Sequence, residues 1–335
     1  KRILLVAGED HQKCNLDYIE NIIQKIYEQK IMNGEVRRLN LNIAPLSVQE
    51  FKRLSTFGIG TFQSFQETYH KETYKKMHPS GLKANFEWRI ETMDRALEGG
   101  LNDVGMGVLF GLTDYRFEVL AMLMHADYLD KKFGVGPHTL SVPRIEPAKG
   151  SLLSEAPPFS ISDKDFKKIV AVLRLSVPYT GIILSTRERA EFRKEVIALG
   201  VSQVSAGSKT NPGGYTSEKA TEQFSVGDHR SLDEVIFELC ENGYIPSFCT
   251  SCYRLGRVGK DFMDYAKPGL IQKFCQPNAL LTFKEYLEDF ASEKTKSIGQ
   301  SVIDRNLSEI TDEKLKNRTL SQLQEIKNGS RDIYI

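Results

Sequence analysis

Val104-Gly-Met-Gly-Val-Leu109, Arg116–Lys132 and Thr139-Leu-Ser-Val-Pro-Arg144 decide the fold class between them. Two short apolar runs flank a longer one whose apolar residues recur at helical spacing, and Gly134 closes the helix. Strand, helix and strand joined by short links form the unit of a parallel sheet, because parallel neighbours need a crossover long enough to carry a helix. The same alternation extends outward in both directions. Further strand candidates are Ile3–Gly8, Val36–Ile43, Thr61–Glu67, Gly181–Ser185 and Gln203–Gly207. Helical patterns lie between them. Asp17–Gln29 places Ile19, Ile22, Ile23 and Ile26 on one face, and Ser47–Phe57 opens on a capping residue and stops before Gly58. Asn85–Leu97, Asp163–Leu175 and Glu188–Leu199 complete the set.

Seven strand–helix units are one short of a (βα)8 barrel. The sequence opens directly on a strand with no helix cap before it. The expectation is an α/β protein, a TIM-type (βα)8 barrel lacking its first βα unit in this chain. The alternative is an open seven-stranded sheet. After the last strand, Asn211-Pro-Gly-Gly-Tyr215 is a turn-rich connection. Helices are expected at Leu232–Glu241, Phe283–Lys294 and Asp312–Lys327. They suggest a barrel over residues 1–234 and a mostly helical extension over residues 235–335.

The 335 residues carry Lys+Arg 45 against Asp+Glu 44, so the charge footprint of nucleic-acid or anionic-membrane binding is missing. No long apolar run reads as a membrane span and no signal peptide is evident, which makes a cytoplasmic protein the expectation. In a barrel, ligand-handling residues gather where strands end in loops. The strand ends here are unusually polar: Ala7-Gly-Glu-Asp10, Phe65-Gln-Glu-Thr-Tyr-His70, Pro143-Arg-Ile-Glu-Pro147, Ser185-Thr-Arg-Glu188 and Ser205-Ala-Gly-Ser-Lys-Thr210. They locate a site at one mouth without naming its chemistry.

Five cysteines at uneven spacing make a poor disulfide framework. Three are grouped: Cys249 and Cys252 are separated by two residues, and Cys275 follows 22 residues later. Three thiolates without a fourth Cys or His beside them suit a 4Fe–4S cluster with one open iron better than structural zinc. Arg254, Arg257 and Lys260 would offset its charge. The bland reading is ordinary buried thiols, and Cys14 and Cys240 take that reading, Cys240 lying on the apolar face Val235, Ile236, Leu239.

At this point the residues resemble a known family. Gly243-Tyr-Ile-Pro-Ser-Phe-Cys-Thr-Ser-Cys-Tyr-Arg-Leu-Gly-Arg257, with Cys275 and Gln276-Pro-Asn-Ala-Leu-Leu-Thr-Phe-Lys-Glu-Tyr286, resembles the C-terminal cluster segment of HydG, the radical S-adenosylmethionine tyrosine lyase of FeFe-hydrogenase maturation. Phe65–His70, His78-Pro79 with Gly81, Val108–Leu112 and Ser208–Tyr215 resemble both HydG and the thiamine-pathway tyrosine lyase ThiH. The cysteine triplet favours HydG. The family's three-cysteine loop, which binds the cluster that cleaves S-adenosylmethionine, does not occur in this sequence. It is expected in a missing N-terminal part, so that the chain alone should be inactive.

The resemblance implies L-tyrosine and S-adenosylmethionine as substrates, an electron donor of ferredoxin or flavodoxin type, and other hydrogenase maturation proteins as partners. Nucleic acid and membrane are not expected partners. The products it implies are p-cresol and dehydroglycine, then CO and cyanide on the second cluster. Glu9 and Asp10 are candidates for the amino group of the methionine moiety, Asp10 alternatively as a helix cap. Arg187 is a candidate for a carboxylate, or alternatively a rim salt bridge. Arg144, after Pro143, takes the same two readings as Arg187, and Gln66, Glu67, Ser205 and Lys209 are candidates for tyrosine's polar groups. His138, at a strand start on the opposite rim, is a candidate ligand for an extra iron on the C-terminal cluster, with His125 competing. The alternatives are a thiamine-type 2-iminoacetate synthase and, from another class, a non-catalytic iron–sulfur scaffold or carrier.

Overall fold

The computed structural model describes residues 2–211, 214–215 and 222–335, so Pro212 and Gly213 of the expected turn lie outside the described residues. The chain divides into two compact units. One comprises Ile3–Ile26 and Leu39–His229, and the other Arg2, Tyr27–Arg38 and Arg230–Ile335.

In chain order the first part runs β1 (Arg2–Val6), α1 (Leu16–Glu28), a hairpin of β2 (Lys30–Ile31) and β3 (Gly34–Glu35), then β4 (Arg38–Asn42) and α2 (Val48–Leu54). It continues through β5 (Phe62–Gln63), α3 (Lys71–Met77), α4 (Phe86–Ile90), α5 (Thr92–Glu98), β6 (Val104–Gly107), α6 (Tyr115–Phe133) and β7 (Thr139–Ser141). Next come α7 (Leu152–Glu155), α8 (Asp163–Ser176), β8 (Gly181–Leu184), α9 (Ala190–Ile197) and β9 (Gln203–Val204).

Apart from the hairpin, the strands form a single curled sheet in the order β1-β4-β5-β6-β7-β8-β9. All pairings from β4 to β9 are parallel, with Leu41 beside Phe62, Gly105 beside Thr139 and Leu140 beside Ile182. All seven strand candidates are present. Every residue of β6 is buried, as expected of a strand covered on both faces. Its glycines are dictated by crowding. A Cβ at Gly105 would come 2.3 Å from Thr139 Oγ1, and one at Gly107 would come 2.8 Å from the Ser141 carbonyl oxygen.

Local signals explain the helices. Ser47 and Glu50 form a reciprocal capping box at the start of α2, and Gly58 takes the left-handed conformation after its end. Phe51 then sets its ring edge-on to Phe62, 4.7 Å away, joining helix to strand. The expected single helix Asn85–Leu97 is two helices instead, broken at Glu91. Side chains take the carbonyls that continuous helix would use: Arg95 donates to the Trp88 oxygen at 2.5 Å, and Thr92 Oγ1 to that of Arg89 at 2.6 Å.

The second unit is helical apart from the hairpin: α10 (Leu232–Glu241), α11 (Ser251–Arg254), α12 (Gly259–Ala266), α13 (Gln272–Asp289), α14 (Glu293–Ser308) and α15 (Glu313–Lys327). Its core gathers Ile236, Leu280, Phe283, Leu287, Ile303 and Ile326. The expected helix Phe283–Lys294 straddles a break between α13 and α14. Ser292 caps α14, and Asp233 accepts hydrogen bonds from Ser292 Oγ at 2.6 Å, Thr295 Oγ1 at 2.9 Å and Tyr286 Oη at 3.0 Å. Within this unit Arg37 pairs with the fully buried Glu285 at 3.1 Å and with Asp332 at 3.0 Å. These pairs bind the early segment Tyr27–Arg38 to residues near the other end of the chain.

Candidate functional site

The polar strand ends of the first unit form a charged mouth. Beyond β1, Glu9 is ion-paired with the buried Arg89, which also donates to Ser64 Oγ at 2.9 Å. Burial opposes that guanidinium's charge, but Glu9 holds it in place and its pKa stays raised. Glu9 and Arg89 line a cleft of about 380 Å³ with Trp88, Leu82 and Pro45. Asp10 is exposed, and its carboxylate accepts from the backbone N–H groups of Gln12 and Lys13 at 3.0 and 3.1 Å. It caps a turn and is not among the residues lining the cleft.

Beyond β5, Gln66 is buried, and its backbone N–H donates to the Gly107 carbonyl at 2.9 Å. Glu67 adopts φ +66°, the left-handed region that a side chain makes costly, and takes Lys83 Nζ at 2.5 Å. A non-glycine residue held there by its neighbours marks a strand end built for more than packing.

The mouth's main anchor was legible only by half. Arg144 presents its fork to Glu188, with Nε–Oε1 at 2.8 Å and Nη2–Oε2 at 2.5 Å, and Glu188 is 3% exposed. The same guanidinium meets Asp163 at 2.9 Å and the Ile161 carbonyl at 3.0 Å. Its donors are therefore committed to this chain. Arg187, by contrast, makes no ion pair among the described residues. It lies over the Phe224 ring at 3.6 Å, where burial lowers its pKa while Glu67, Glu146 and Glu188 raise it. Glu146 is raised by burial and then by Glu188, against Arg144 and Arg187. Glu67, Arg187 and Glu146, from three different strand ends, thus share one electrostatic neighbourhood.

Ser205, beyond β9, offers its carbonyl to Arg193 Nη2 at 2.5 Å. Arg193 is 1% exposed and ion-paired with the equally buried Asp228. Lys209 is exposed. On the opposite side, His138 donates its backbone N–H to the Val104 carbonyl before β7, and its Nδ1 is 3.6 Å from the Asp103 carboxylate. His125 on α6 shares a 2.8 Å hydrogen bond with Tyr69 Oη, and burial lowers its pKa to about 4. Sequence reasoning missed Arg89, Lys83, Glu146 and Phe224. Only Glu146 stood in a quoted polar strand end.

The second unit holds all three grouped cysteines. Cys249 precedes α11, Cys252 lies within it, and Cys275 lies in the first turn of α13. Cys249 Sγ accepts from the Ser251 backbone N–H at 3.4 Å and lies 3.1 Å from Ser251 Oγ. The Cys275 thiol is pushed up to about 11, by desolvation first and then by Cys252 and Cys249, while Arg257 opposes the shift. Cys252 and Cys249 therefore both lie within electrostatic reach of the Cys275 thiol. Among the described residues no three His, Cys, Asp or Glu side chains already stand at metal-binding spacing. The donor set still fits an iron–sulfur group: three thiols, an N–H aimed at a sulfur, and a cation beside them. Cys240, by contrast, is buried, and its thiol is pushed up to about 12 by burial.

Residues 141–245 match the Biotin and Thiamin Synthesis associated domain. The chain is 34% identical to the 2-iminoacetate synthases of Salmonella typhimurium and Escherichia coli, over 78% of its own length and 67% of theirs. The crystal structure of HydG, a maturase of the FeFe-hydrogenase, superposes with a TM-score of 0.96 at 53% identity, covering 100% of this chain and 73% of that one. HydG from Carboxydothermus hydrogenoformans gives 0.81 at 45% identity, over 96% and 70% of the two chains. Methylornithine synthase shares the fold alone, with a TM-score of 0.55 at 19% identity over 72% of this chain and 67% of that one. A curled parallel sheet with its charged mouth at the strand ends is thus a partial TIM-type barrel of the radical S-adenosylmethionine enzymes. Within that class, the chain belongs to the HydG family.

Proposed function

We propose that the protein serves FeFe-hydrogenase H-cluster assembly as a radical S-adenosylmethionine lyase. It cleaves L-tyrosine to p-cresol and dehydroglycine and yields CO and cyanide at a second 4Fe–4S cluster. The observation that carries this reading is the grouping of Cys249, Cys252 and Cys275 in one unit of a chain that is 53% identical to HydG along its whole length.

When bound and reduced, S-adenosylmethionine supplies the carbon radical that takes a hydrogen from tyrosine's amino group. The chain's own residues bind, orient and exclude water. A zwitterionic amino acid needs one cation and one or two carboxylates at its α-carbon. In the mouth, Arg187 makes no ion pair among the described residues, and Glu67 and Glu146 lie within its electrostatic reach. The stacking of Arg187 on Phe224 fixes the plane of its fork, which suits a carboxylate. Gln66, Ser205 and Lys209 are proposed to complete the polar lining. Arg144 acts on the site by holding Glu188 and Asp163. Glu9, beside Arg89 in the cleft, is assigned to the ammonium of the methionine moiety, and Asp10 to ordering the turn beside it.

Cys249, Cys252 and Cys275 would hold the second cluster, with His138, or His125 in competition, assigned to an extra iron. Sequence outside these 335 residues is assigned to radical generation, since no Cys-x3-Cys-x2-Cys loop occurs among them, and the chain alone is expected to release no p-cresol. A cytoplasmic location, a ferredoxin or flavodoxin as electron donor and further maturation proteins as partners complete the reading. No helix among the described residues is long and apolar enough to cross a membrane.

The test uses the protein extended to include the radical-generating loop. Cys249→Ser and Cys275→Ser should still release p-cresol, read by chromatography, but lose CO, read by haemoglobin trapping. Loss of p-cresol in equal measure would overturn the separation of the two sites. A 2-iminoacetate synthase reading rests on the 34% identity to those enzymes and predicts CO from neither the wild type nor the variants.

A further inference from the structure

Glu118 has no task in the chemistry above. It lies on α6, is 1% exposed, and makes no ion pair among the described residues. Taking a carboxylate out of water without a cation is costly, and an apolar side chain would fill the same space at less cost. The reason for a buried carboxylate therefore lies in the bonds it makes. Both go to one turn. Its Oε1 accepts from Thr68 Oγ1, and its Oε2 accepts from the Tyr69 backbone N–H at 2.9 Å. Burial pushes its pKa up, and the bonds from Thr68 and Tyr69 oppose that shift. Further along α6, His125 shares its hydrogen bond with Tyr69 Oη, so one helix grips the turn twice.

That turn is strained. The Thr68 N–H donates to the Gln66 carbonyl at 2.9 Å around Glu67, whose φ is +66°. A bond of this span about a residue with positive φ is the rarer form of γ-turn, which persists where neighbours over-determine it. On the sheet side, the Gln66 N–H donates to Gly107 at 2.9 Å and the Leu109 N–H to the Glu67 carbonyl at 2.8 Å. On the helix side stand Glu118 and the fully buried Thr68, whose Oγ1 also accepts from the His70 N–H at 3.1 Å. The backbone at Gln66 and Glu67 is thus set by a helix side chain as well as by the sheet.

We propose that Glu118 is a positioning residue for substrate binding: by fixing the turn over residues 66–69, it sets where Gln66 and Glu67 meet the α-amino acid. The proposal rests on the reading of the mouth as the tyrosine site given under Proposed function.

The experiment uses the protein extended to include the radical-generating loop. Amide hydrogen exchange over residues 68–70 reports the turn, and the tyrosine dependence of p-cresol release reports binding. Glu118→Leu removes both acceptors and should speed exchange at the turn about tenfold, while exchange at Val104–Gly107 stays as in wild type. It should raise the KM for tyrosine about tenfold with kcat within about twofold, as when one polar contact common to ground and transition state is lost. Glu118→Gln should bring both readouts back to within about threefold of wild type, because its carbonyl can accept from Tyr69 while its amide donates to Thr68 Oγ1. Wild-type exchange at the turn in Glu118→Leu would overturn the proposal, and so would equal losses in the leucine and glutamine variants. Glu67→Gln separates the proposal from the reading beneath it. A raised KM there with a wild-type KM in Glu118→Leu sinks the positioning role alone, whereas a wild-type KM in both sinks the reading of the mouth as well. If Glu118→Leu does not fold, Thr68→Val decides: it loses one of the two bonds and should raise the KM about threefold, and a wild-type KM would overturn the proposal.

Discussion

Asp228→Asn tests how the end of β9 is held. Arg193 and Asp228 are each 1% exposed at their side chains, so their charges meet with almost no water present. The asparagine keeps the shape but leaves a buried guanidinium uncompensated, which costs about 3–5 kcal/mol. That is a large share of the roughly 5–15 kcal/mol by which a typical domain is stable. At a urea slope of about 3 kcal/mol per molar for a unit of this size, the midpoint should fall by about 1–2 M. Trp88, the one tryptophan in the chain, lies in the same unit as the pair, so its fluorescence reports the relevant transition. The double variant Arg193→Met with Asp228→Leu removes both charges. It should lose less than Asp228→Asn, apart from a residue of about 1–3 kcal/mol for the Ser205 carbonyl left without its donor. A midpoint for Asp228→Asn within about 0.3 M of wild type would refute the reasoning. So would a double variant that loses the sum of the two single changes.

Three further outcomes are expected. His125 has a folded pKa of about 4 against 6.5 unfolded, so below 6.5 the unfolded chain takes up a proton that the folded one refuses. The stability it gives is full above pH 6.5 and is lost as pH falls from 6.5 towards 4, on the order of 3 kcal/mol at most; His125→Phe should flatten that part of a urea-midpoint profile. At Glu67, with φ +66°, Glu67→Gly should be more stable than Glu67→Ala by about 1–2 kcal/mol in thermal unfolding, because only glycine accepts the left-handed backbone freely. In the metal-free chain at pH 8, a thiol reagent should leave Cys240 unmodified until denaturant is added, since burial raises that thiol to about 12.

The sheet was legible because each strand is a short apolar run closed by polar residues, and that pattern survives without any tertiary knowledge. Register and burial followed once neighbours were known: Gly105 is a gap in the pattern on paper and a necessity beside Thr139. The helix breaks were less accessible. Asn85–Leu97 keeps its helical spacing through Glu91, and only Arg95 folding back on Trp88 interrupts the backbone. Pro277, of a residue type that usually interrupts a helix, lies inside α13. Glu9, Arg144 and Arg187 stood out as polar strand ends, as did Glu188, the partner of Arg144, but the partners of Glu9 and Arg187 did not. Arg89 and Phe224 come from elements distant in sequence, and no local pattern announces a partner across a sheet.

The hairpin segment Tyr27–Arg38 gives the cysteine unit an unusual dependence on synthesis order. A ribosome releases this segment 248 residues before Glu285, and longer still before Asp332, the two partners of Arg37. The cysteine-bearing unit is therefore no detachable module. Cut free as residues 230–335, it would leave the Glu285 carboxylate buried without its guanidinium, and a gene rearrangement could not carry it to another enzyme intact. A lineage that keeps the cysteines is thereby bound to keep a short stretch far from them in the sequence.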